Sequence, residues 1–182
     1  MKVVLHTCCG PCASACVPRL LEDGHEVTML FANSNIDTRE EFEKRKHEAE
    51  KLAKHDGVRF DALPYDHAEW LREVAAGYEN EPEKGRRCER CFRYNLAKAA
   101  EFARANGIES FTTSLTVSPH KVSPMIFDVA KSLEIHCPPQ PSTSTFLPYD
   151  FKKREGFKLS VRRAEELGLY RQSYCGCEFS KR

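Results

Sequence analysis

Short apolar runs alternate with amphipathic segments along most of the chain. The runs have strand-like lengths and are rich in Val, Leu, Phe and Thr. They predict buried strands over 2–6, 26–32, 58–65 and 110–115. Apolar residues at helical spacing predict helices over 13–23, 38–55, 66–75 and 89–107, another that opens at 123, and a last one over 158–167.

Local start and stop signals set the ends of these predicted helices. Thr38 is a typical N-cap residue, and Ser123 followed by Pro124 combines an N-cap with a first-turn proline. Glycines end three of the helices, at Gly24, Gly107 and Gly168. The Pro-rich stretch 138–148 is expected to be irregular.

The alternation of strands and helices predicts an α/β fold, with a parallel sheet covered by helices on both faces. Ligands of such sheets bind beyond the carboxyl ends of the strands. Cys8, Cys9 and Cys12 follow the first strand, and Asn33 and Asn35 follow the second. We therefore expect a functional site at this edge. The asparagines there would contact a nucleobase or a ribose, or cap a turn.

Length and composition limit the classes of protein that the chain can represent. Its 182 residues fit one domain over 1–182, in which the last roughly 35 residues form an extension. The 28 basic and 27 acidic residues exclude a general electrostatic attraction for nucleic acid but allow a local basic face. No apolar run approaches the roughly 20 residues of a membrane span, and MKVVLHTCCG lacks a signal-type apolar region. We expect a cytoplasmic protein without membrane contact.

Nine cysteines are the most unusual feature of the composition. An odd number fits a disulfide framework poorly, and a reducing compartment disfavours disulfides, so metal binding or redox chemistry is expected. Seven of them form three groups, Cys8-Cys9-x-x-Cys12, Cys88-x-x-Cys91 and Cys175-Gly176-Cys177. The other two, Cys16 and Cys137, are expected to be small buried apolar residues.

The number of cysteines in these groups argues against a single structural metal. A zinc ion takes four thiolates, and so does a 4Fe–4S cluster, which leaves two or three cysteines for a second metal or a redox dithiol. Basic neighbours at Arg86, Arg87 and Arg90 are expected to favour the thiolate forms of Cys88 and Cys91. A dithiol role for Cys9 and Cys12 remains open.

The motifs resemble those of the cobalamin-independent epoxyqueuosine reductases, the QueH family, over essentially the whole chain. The resemblance rests on HTCCGPC (6–12), RCERCF (87–92), FTTSLTVSPHK (111–121), DFKKREGF (150–157) and LYRQSYCGC (169–177). It implies a three-layer, PP-loop-like (HUP-like, nucleotide α-hydrolase-type) fold. It also implies reduction of epoxyqueuosine at the wobble position of tRNA to queuosine. The implied cofactors are a 4Fe–4S cluster and an additional mononuclear iron. An external one-electron donor would supply their electrons.

The resemblance also implies roles for particular residues. All seven grouped cysteines would bind metal, with Cys88 and Cys91 among the cluster ligands and the extension completing the site. Cys8 and Cys9 would act at the reacting centre, and Asp150 is the carboxylate expected to complete the coordination of the extra iron. The basic residues expected to contact the tRNA anticodon loop are Lys152, Lys153, Arg154 and Arg171. His6 and His120 would be either proton donors or structural residues.

Two other functions are compatible with parts of the sequence. One is a non-catalytic zinc or iron–sulfur protein that binds RNA or has a structural role, although such a site needs only four ligands. The other is an ATP-dependent tRNA thiolase, which needs a Gly- and Ser-rich phosphate loop after the first strand. That position reads CCGPCAS, with one glycine and a proline, so use of ATP is not expected.

Overall fold

The computed structural model describes residues 1–135 and 144–181, and its centre is a five-stranded parallel sheet. The strands lie in the order β3-β2-β1-β4-β5. Their bounds are β1 Lys2–His6, β2 Glu26–Phe31, β3 Arg59–Ala62, β4 Ser110–Thr113 and β5 Thr145–Phe146. The chain runs outward from β1 to β3 and then returns to the other side of β1. This order places the topological switch point between the carboxyl ends of β1 and β4.

Helices cover both faces of the sheet. They are α1 Gly10–Glu22, α2 Arg39–Asp56, α3 His67–Trp70, α4 Arg86–Ala105, α5 Ser123–Ile135 and α6 Gly156–Glu166. A π-helical turn, Leu71–Ala75, continues α3, and short 3₁₀ turns cover Ser114–Val117 and Glu178–Ser180. Among the described residues, no helix combines the length and the apolarity that crossing a membrane requires.

The central strand β1 shows why the sheet has two apolar faces. Val3 and Leu5 pack with α1 and α2, whereas Val4, which points to the opposite face, packs with α4 and α5. All three side chains are fully buried. A strand buried on both faces needs a continuous apolar run, and residues 3–5 provide one. The predicted three-layer α/β fold is confirmed.

Helix α1 begins at Gly10, three residues earlier than the pattern predicts. The Cys9 sulfur acts as its N-cap and accepts a hydrogen bond from the Cys12 amide at 3.4 Å. Cysteine is not a usual cap residue, which is why this start is hard to predict. A Cβ on Gly10 would lie 2.8 Å from the Glu48 carbonyl oxygen, so only glycine allows α1 to approach α2 this closely.

The other differences from the predicted elements are small. Helix α4 begins at Arg86 rather than near Glu89, and Cys88 and Cys91 therefore lie in its first two turns. Strand β5 lies inside the Pro-rich stretch expected to be irregular. It pairs through only two residues, which is too short for an apolar pattern to show. The expectation for Cys137 lies outside the described residues.

Helix α6 is attached to the rest of the fold by Arg163. Its guanidinium pairs with the Asp56 carboxylate at the end of α2 at 2.7 Å and donates to the Ser14 carbonyl of α1. The side chains of Arg163 and Asp56 are only 17% and 7% exposed. This contact sets the position from which the carboxyl-terminal tail, residues 167–181, leaves α6.

Replacing Arg163 with Ala is expected to lower the free energy of unfolding by about 2 to 3 kcal/mol, because it leaves Asp56 buried without its partner. The matched control is Arg162→Ala, since the neighbouring Arg162 is 69% exposed and pairs loosely with Glu166 at 3.8 Å. The Arg162→Ala control should lower the free energy of unfolding by less than about 0.5 kcal/mol. Urea denaturation of both variants in the same metal-loading state measures the difference, and equal losses would contradict the assignment.

Candidate metal centre

The three cysteines that follow β1 bring their sulfur atoms together at the switch point of the sheet. The sulfurs of Cys8, Cys9 and Cys12 lie within 4.8 Å of one another, and those of Cys8 and Cys9 are 3.9 Å apart. Ser114, directly after β4, accepts a hydrogen bond from the Cys8 amide at 3.0 Å and donates to the Cys8 sulfur at 3.3 Å. The group is therefore fixed between the ends of two neighbouring strands.

Hydrogen bonds among these three thiols make them unequal acids. The pKa of Cys9 is held well below its usual value because its thiolate accepts hydrogen bonds from Cys12 and Cys8. Hydrogen bonds to Cys8 and Cys9, together with burial, raise the pKa of Cys12. Cys12 lowers the pKa of Cys8, but Cys9 and burial raise it more, to about 12. The three thiols therefore differ in acidity, and a bound cation would take the place of their protons.

A second sulfur group comes from helix α4 and the carboxyl-terminal tail. Cys88 and Cys91 are three residues apart in α4, and therefore on the same side of the helix. Cys175 and Cys177 come from the tail and interact electrostatically with Cys91. The Lys84 amide donates to the Cys88 sulfur at 3.3 Å. Four cysteines from segments far apart in sequence thus lie in one region.

Both sulfur groups line one cavity of about 740 Å³ at the carboxyl edge of the sheet. Six of the seven grouped cysteines contribute to its wall, and the seventh, Cys9, is 1% exposed behind Cys8 and Cys12. Thiolate sulfur is a soft ligand that suits iron–sulfur clusters, iron and zinc. The residues present therefore fit the metal groups that the sequence predicts.

The buried guanidinium of Arg45 holds the tail against this cavity. It donates to the carbonyl oxygens of Cys175 at 3.0 Å and Tyr174 at 3.4 Å, and its charge is balanced by Glu41 at 2.6 Å. Gly176 lies close by with a φ of +139°, and a Cβ there would be 3.3 Å from the guanidinium. The C-G-C motif therefore needs glycine at this position, because a side chain would be strained at this φ and would crowd the Arg45 guanidinium.

Two of the arginines near the C-x-x-C motif bind backbone carbonyl groups. Arg87 is buried and donates to the carbonyls of Tyr78 and Glu81, while Arg90 donates to the Val74 carbonyl. Arg87 thus organises the loop before α4, and Arg90 holds the π-helical turn that follows α3. Burial raises the pKa of Cys91, and the expected effect of the arginines on the Cys88 and Cys91 thiolates stays a prediction.

The two asparagines predicted after β2 line the cavity. The Asn33 amide donates to the Thr7 carbonyl at 2.8 Å, and the Asn35 side-chain oxygen accepts from Asn95 at 3.1 Å. Both side chains are nearly completely buried. Hydrogen bonds thus fix them, with part of each facing the cavity.

The predicted carboxylate and basic residues occupy different environments. Asp150 is not among the cavity-lining residues; it accepts hydrogen bonds from Ser123 at 3.1 Å and from the Lys152 amide at 3.3 Å. Lys152 is half-buried, and its ammonium donates to the Lys121 carbonyl at 2.8 Å. Lys153, Arg154 and Arg171 are exposed, and Arg171 also lines the cavity.

The two histidines considered as proton donors also differ. His6 is completely buried, bonded to the Thr113 hydroxyl at 2.9 Å, and does not line the cavity. Burial lowers the pKa of His6 to about 4, so its imidazole is neutral at pH 7. His120 is exposed at the cavity. Of the two, only His120 can contact a ligand there.

Four further cavity residues are not among those predicted from the sequence. The Lys121 ammonium lies 3.0 Å from the Cys175 sulfur, and Gln172 makes a hydrogen bond that lowers the pKa of Cys9. Asn95 has a buried side-chain oxygen without a partner among the described residues, and the indole of buried Trp70 makes a hydrogen bond that lowers the pKa of Cys91. Lys121 and Gln172 lie in quoted motifs of the predicted family, FTTSLTVSPHK and LYRQSYCGC, but nothing in the sequence distinguishes them from surface residues.

Comparison with known proteins gives a consistent family match. A family model described as epoxyqueuosine reductase QueH matches residues 3–182. Epoxyqueuosine reductase QueH of Streptococcus pyogenes serotype M1 is 36% identical over 185 residues, covering 98% of this chain and 70% of that protein. The protein of the same name from Thermotoga maritima is 34% identical over 181 residues, covering 98% of this chain and 89% of that protein.

Two solved structures share the fold at low sequence identity. One is a predicted subunit of tRNA methyltransferase from Methanocaldococcus jannaschii, with a TM-score of 0.58, 16% identity, and coverage of 91% of this chain and 75% of that one. The other is the U34-tRNA thiolase NcsA from Methanococcus maripaludis with its 4Fe-4S cluster. Its TM-score is 0.57 at 13% identity, and the match covers 100% of this chain and 62% of that one.

Replacing Arg45 with Met should release the tail, because no other group would bind the carbonyls of Tyr174 and Cys175. The amide of Asp37, which donates to the Gly176 carbonyl at 2.9 Å, reports this contact. Its hydrogen exchange is expected to become at least about tenfold faster, equivalent to about 1.4 kcal/mol. Arg39→Met is the control, since the Arg39 side chain is 68% exposed. Similar exchange rates in the two variants would refute the anchoring role.

Proposed function

Because this chain belongs to the epoxyqueuosine reductase QueH family, we propose that it reduces epoxyqueuosine in tRNA to queuosine. The family match over residues 3–182 is the observation that carries this proposal. The cavity at the switch point supports it, since that is where α/β sheets bind ligands and where the cysteines lie. A cytoplasmic location follows from the tRNA substrate.

The reaction explains why so many thiols are useful at one place. Conversion of an epoxide to an alkene removes one oxygen atom as water and consumes two electrons and two protons. An iron–sulfur cluster, when bound, would supply electrons one at a time from an external one-electron donor. The residues of this chain would hold the metals, orient the epoxide beside them and exclude bulk water.

The spacing of the sulfurs supports a division of the seven cysteines between two metals. At a metal–sulfur bond of about 2.3 Å, two tetrahedral ligands lie about 3.8 Å apart. The 3.9 Å between Cys8 and Cys9 fits one ion, and Cys12 is close enough to join them. We assign the additional iron to these three. The four cysteines of α4 and the tail, Cys88, Cys91, Cys175 and Cys177, would hold the 4Fe–4S cluster.

In this assignment the tail completes the metal centre of a chain that acts as one domain. The tail would supply half of the cluster ligands, and Cys8 and Cys9 would lie at the reacting centre. Asp150 would act on the metal only indirectly, because it holds Ser123 and Lys152 rather than facing the cavity.

Substrate contacts are proposed on both sides of the cavity. Asn33 and Asn35, with the unpartnered oxygen of Asn95 behind them, would bind polar groups of the modified base. Phe157 is 38% exposed at the cavity, and the Arg171 guanidinium lies 5.9 Å from the centre of its ring. An exposed aromatic ring beside basic groups suits the stacked bases and phosphates of an RNA loop.

We propose that ATP is not used, for a reason that lies at the amino end of α1. A phosphate-binding helix start needs free amide groups. Here the Cys12 amide is bonded to the Cys9 sulfur, and Pro11 has no amide hydrogen. The phosphate site of ATP-dependent relatives of this fold would therefore be lost at this position.

The function is tested by incubating the iron-loaded protein with a tRNA stem-loop that carries epoxyqueuosine, under anaerobic conditions with a chemical reductant. Queuosine should form without added cobalamin or ATP, and mass spectrometry should show the loss of one oxygen atom from the nucleoside. Unchanged epoxyqueuosine in the presence of fully loaded protein would reject the reductase. A colourless protein with one zinc and no sulfide would support a structural role instead.

Replacing Cys88 or Cys91 with Ala should abolish the visible absorption of the cluster and the acid-labile sulfide. The control is Cys16→Ala, in which a completely buried thiol that donates to the Cys12 carbonyl is lost. The Cys16 variant should keep the cluster and lose only about 1 kcal/mol of stability through packing. Loss of the cluster from the Cys16 variant would show that the ligand assignment is wrong.

Replacing both Lys153 and Arg154 with Gln should raise the KM for tRNA about tenfold and leave kcat nearly unchanged, as expected for residues that position the substrate. The slope of log affinity against log salt should fall by about 1.4, since each phosphate contact to a single strand contributes about 0.7. Lys2→Gln with Lys54→Gln is a charge-matched control, because both lysines are exposed at the opposite edge of the sheet. A similar effect in the control would indicate non-specific attraction.

A further inference from the structure

Lys121 is a cation placed directly among the cysteine sulfurs. Its ammonium lies 3.0 Å from the Cys175 sulfur and 5.3 Å from the centre of the Phe92 ring. Its charge also acts on Cys91 and on Cys8, which belong to the two different sulfur groups. Lys121 is therefore located between the cysteines from β1 and those from α4 and the tail.

The backbone around Lys121 is held in place by several hydrogen bonds. Its amide donates to the Ser118 carbonyl at 3.2 Å, and its carbonyl accepts from the half-buried ammonium of Lys152 at 2.8 Å. Asp150 in turn accepts hydrogen bonds from the Lys152 amide and from Ser123. Because the backbone of Lys121 is anchored, its ammonium can reach fewer positions.

The other basic side chains around the cavity have different partners. Arg87 binds carbonyls of the loop before α4, Lys181 pairs with Asp37, and Arg171 lies over the Phe157 ring. Within residues 1–135 and 144–181, Lys121 is the cationic side chain with a nitrogen at hydrogen-bond distance from a cysteine sulfur. Burial by itself would lower the pKa of Lys121, but the neighbouring Cys175, Cys8 and Cys91 raise it.

We propose that the Lys121 ammonium raises the reduction potential of the iron–sulfur cluster, by donating an N–H···S hydrogen bond to Cys175 and adding one fixed positive charge. The inference rests on the proposed function, and in particular on a cluster bound by Cys175. A cluster becomes more negative when it accepts an electron, so a nearby cation stabilises the reduced form more than the oxidised form. Lys121 thereby makes the cluster easier to reduce for the external one-electron donor.

The test is a redox titration of the anaerobically reconstituted protein, in which the EPR signal of the reduced cluster is followed against the ambient potential. Lys121→Met should shift the ratio of reduced to oxidised cluster at least about tenfold toward the oxidised form. This equals a midpoint potential about 59 mV more negative for one electron. The Lys121→Arg variant keeps the charge, so its cluster should have the same midpoint potential as that of the wild type. The control is Lys131→Met, which removes an exposed charge from α5.

A further variant separates charge from hydrogen bonding. Lys121→Gln keeps an N–H donor without the charge, and it should also titrate at a more negative potential. Wild-type potentials in both the Met and Gln variants would overturn the inference and leave the reductase intact. Failure of both variants to bind the cluster would also overturn it, since Lys121 would then serve assembly. A wild-type protein without sulfide or an EPR signal would overturn the cluster itself and the inference with it.

Discussion

The buried guanidinium of Arg45 is the contact on which the candidate metal centre depends. It lies inside the fold with Glu41 as its counter-ion and binds the carbonyls of Tyr174 and Cys175. Burying the Arg45 guanidinium without these acceptors would cost free energy, so the hydrogen bonds that it donates stabilise the docked tail. Docking brings Cys175 and Cys177 to the cavity that already contains the other sulfurs. Asp37 also holds the tail, through Tyr174 and Lys181, so loss of the Arg45 contact would weaken the docking at Cys175.

Strands β1, β2 and β4 could be predicted from the sequence because they are buried on both faces, whereas the edge strand β3 is only partly buried. Residues 3–5 and 29–31 form continuous apolar runs, and the helix that begins after Thr38 has a typical cap. Strand β5 could not be predicted, since a two-residue pairing leaves no periodicity. The early start of α1 was also missed, because a cysteine sulfur rather than a hydroxyl or carboxylate caps it.

The site could be predicted as a set of residue types but not as an arrangement. The cysteine motifs and the strand ends indicated which thiols meet, since parallel strands place their carboxyl ends at one edge. Arg45 lies in a strongly charged helix, where a solvent-exposed arginine is the ordinary expectation, and only the docked tail shows why it is buried. Lys152, expected to contact tRNA, instead donates to the Lys121 carbonyl, and Lys121, for which no role was predicted, faces the Cys175 sulfur. Which lysine faces sulfur and which faces a carbonyl depends on tertiary contacts far apart in sequence.

The central claim is that seven thiols in two groups around one cavity hold a 4Fe–4S cluster and an additional iron. The most direct test is the iron and acid-labile sulfide content per chain after anaerobic reconstitution and removal of loosely bound metal. The account predicts about five irons and four sulfides per chain, with the fifth iron lost in a Cys12→Ala variant that keeps its sulfide. Four irons in both proteins would contradict the second metal, and zinc without sulfide would contradict the cluster.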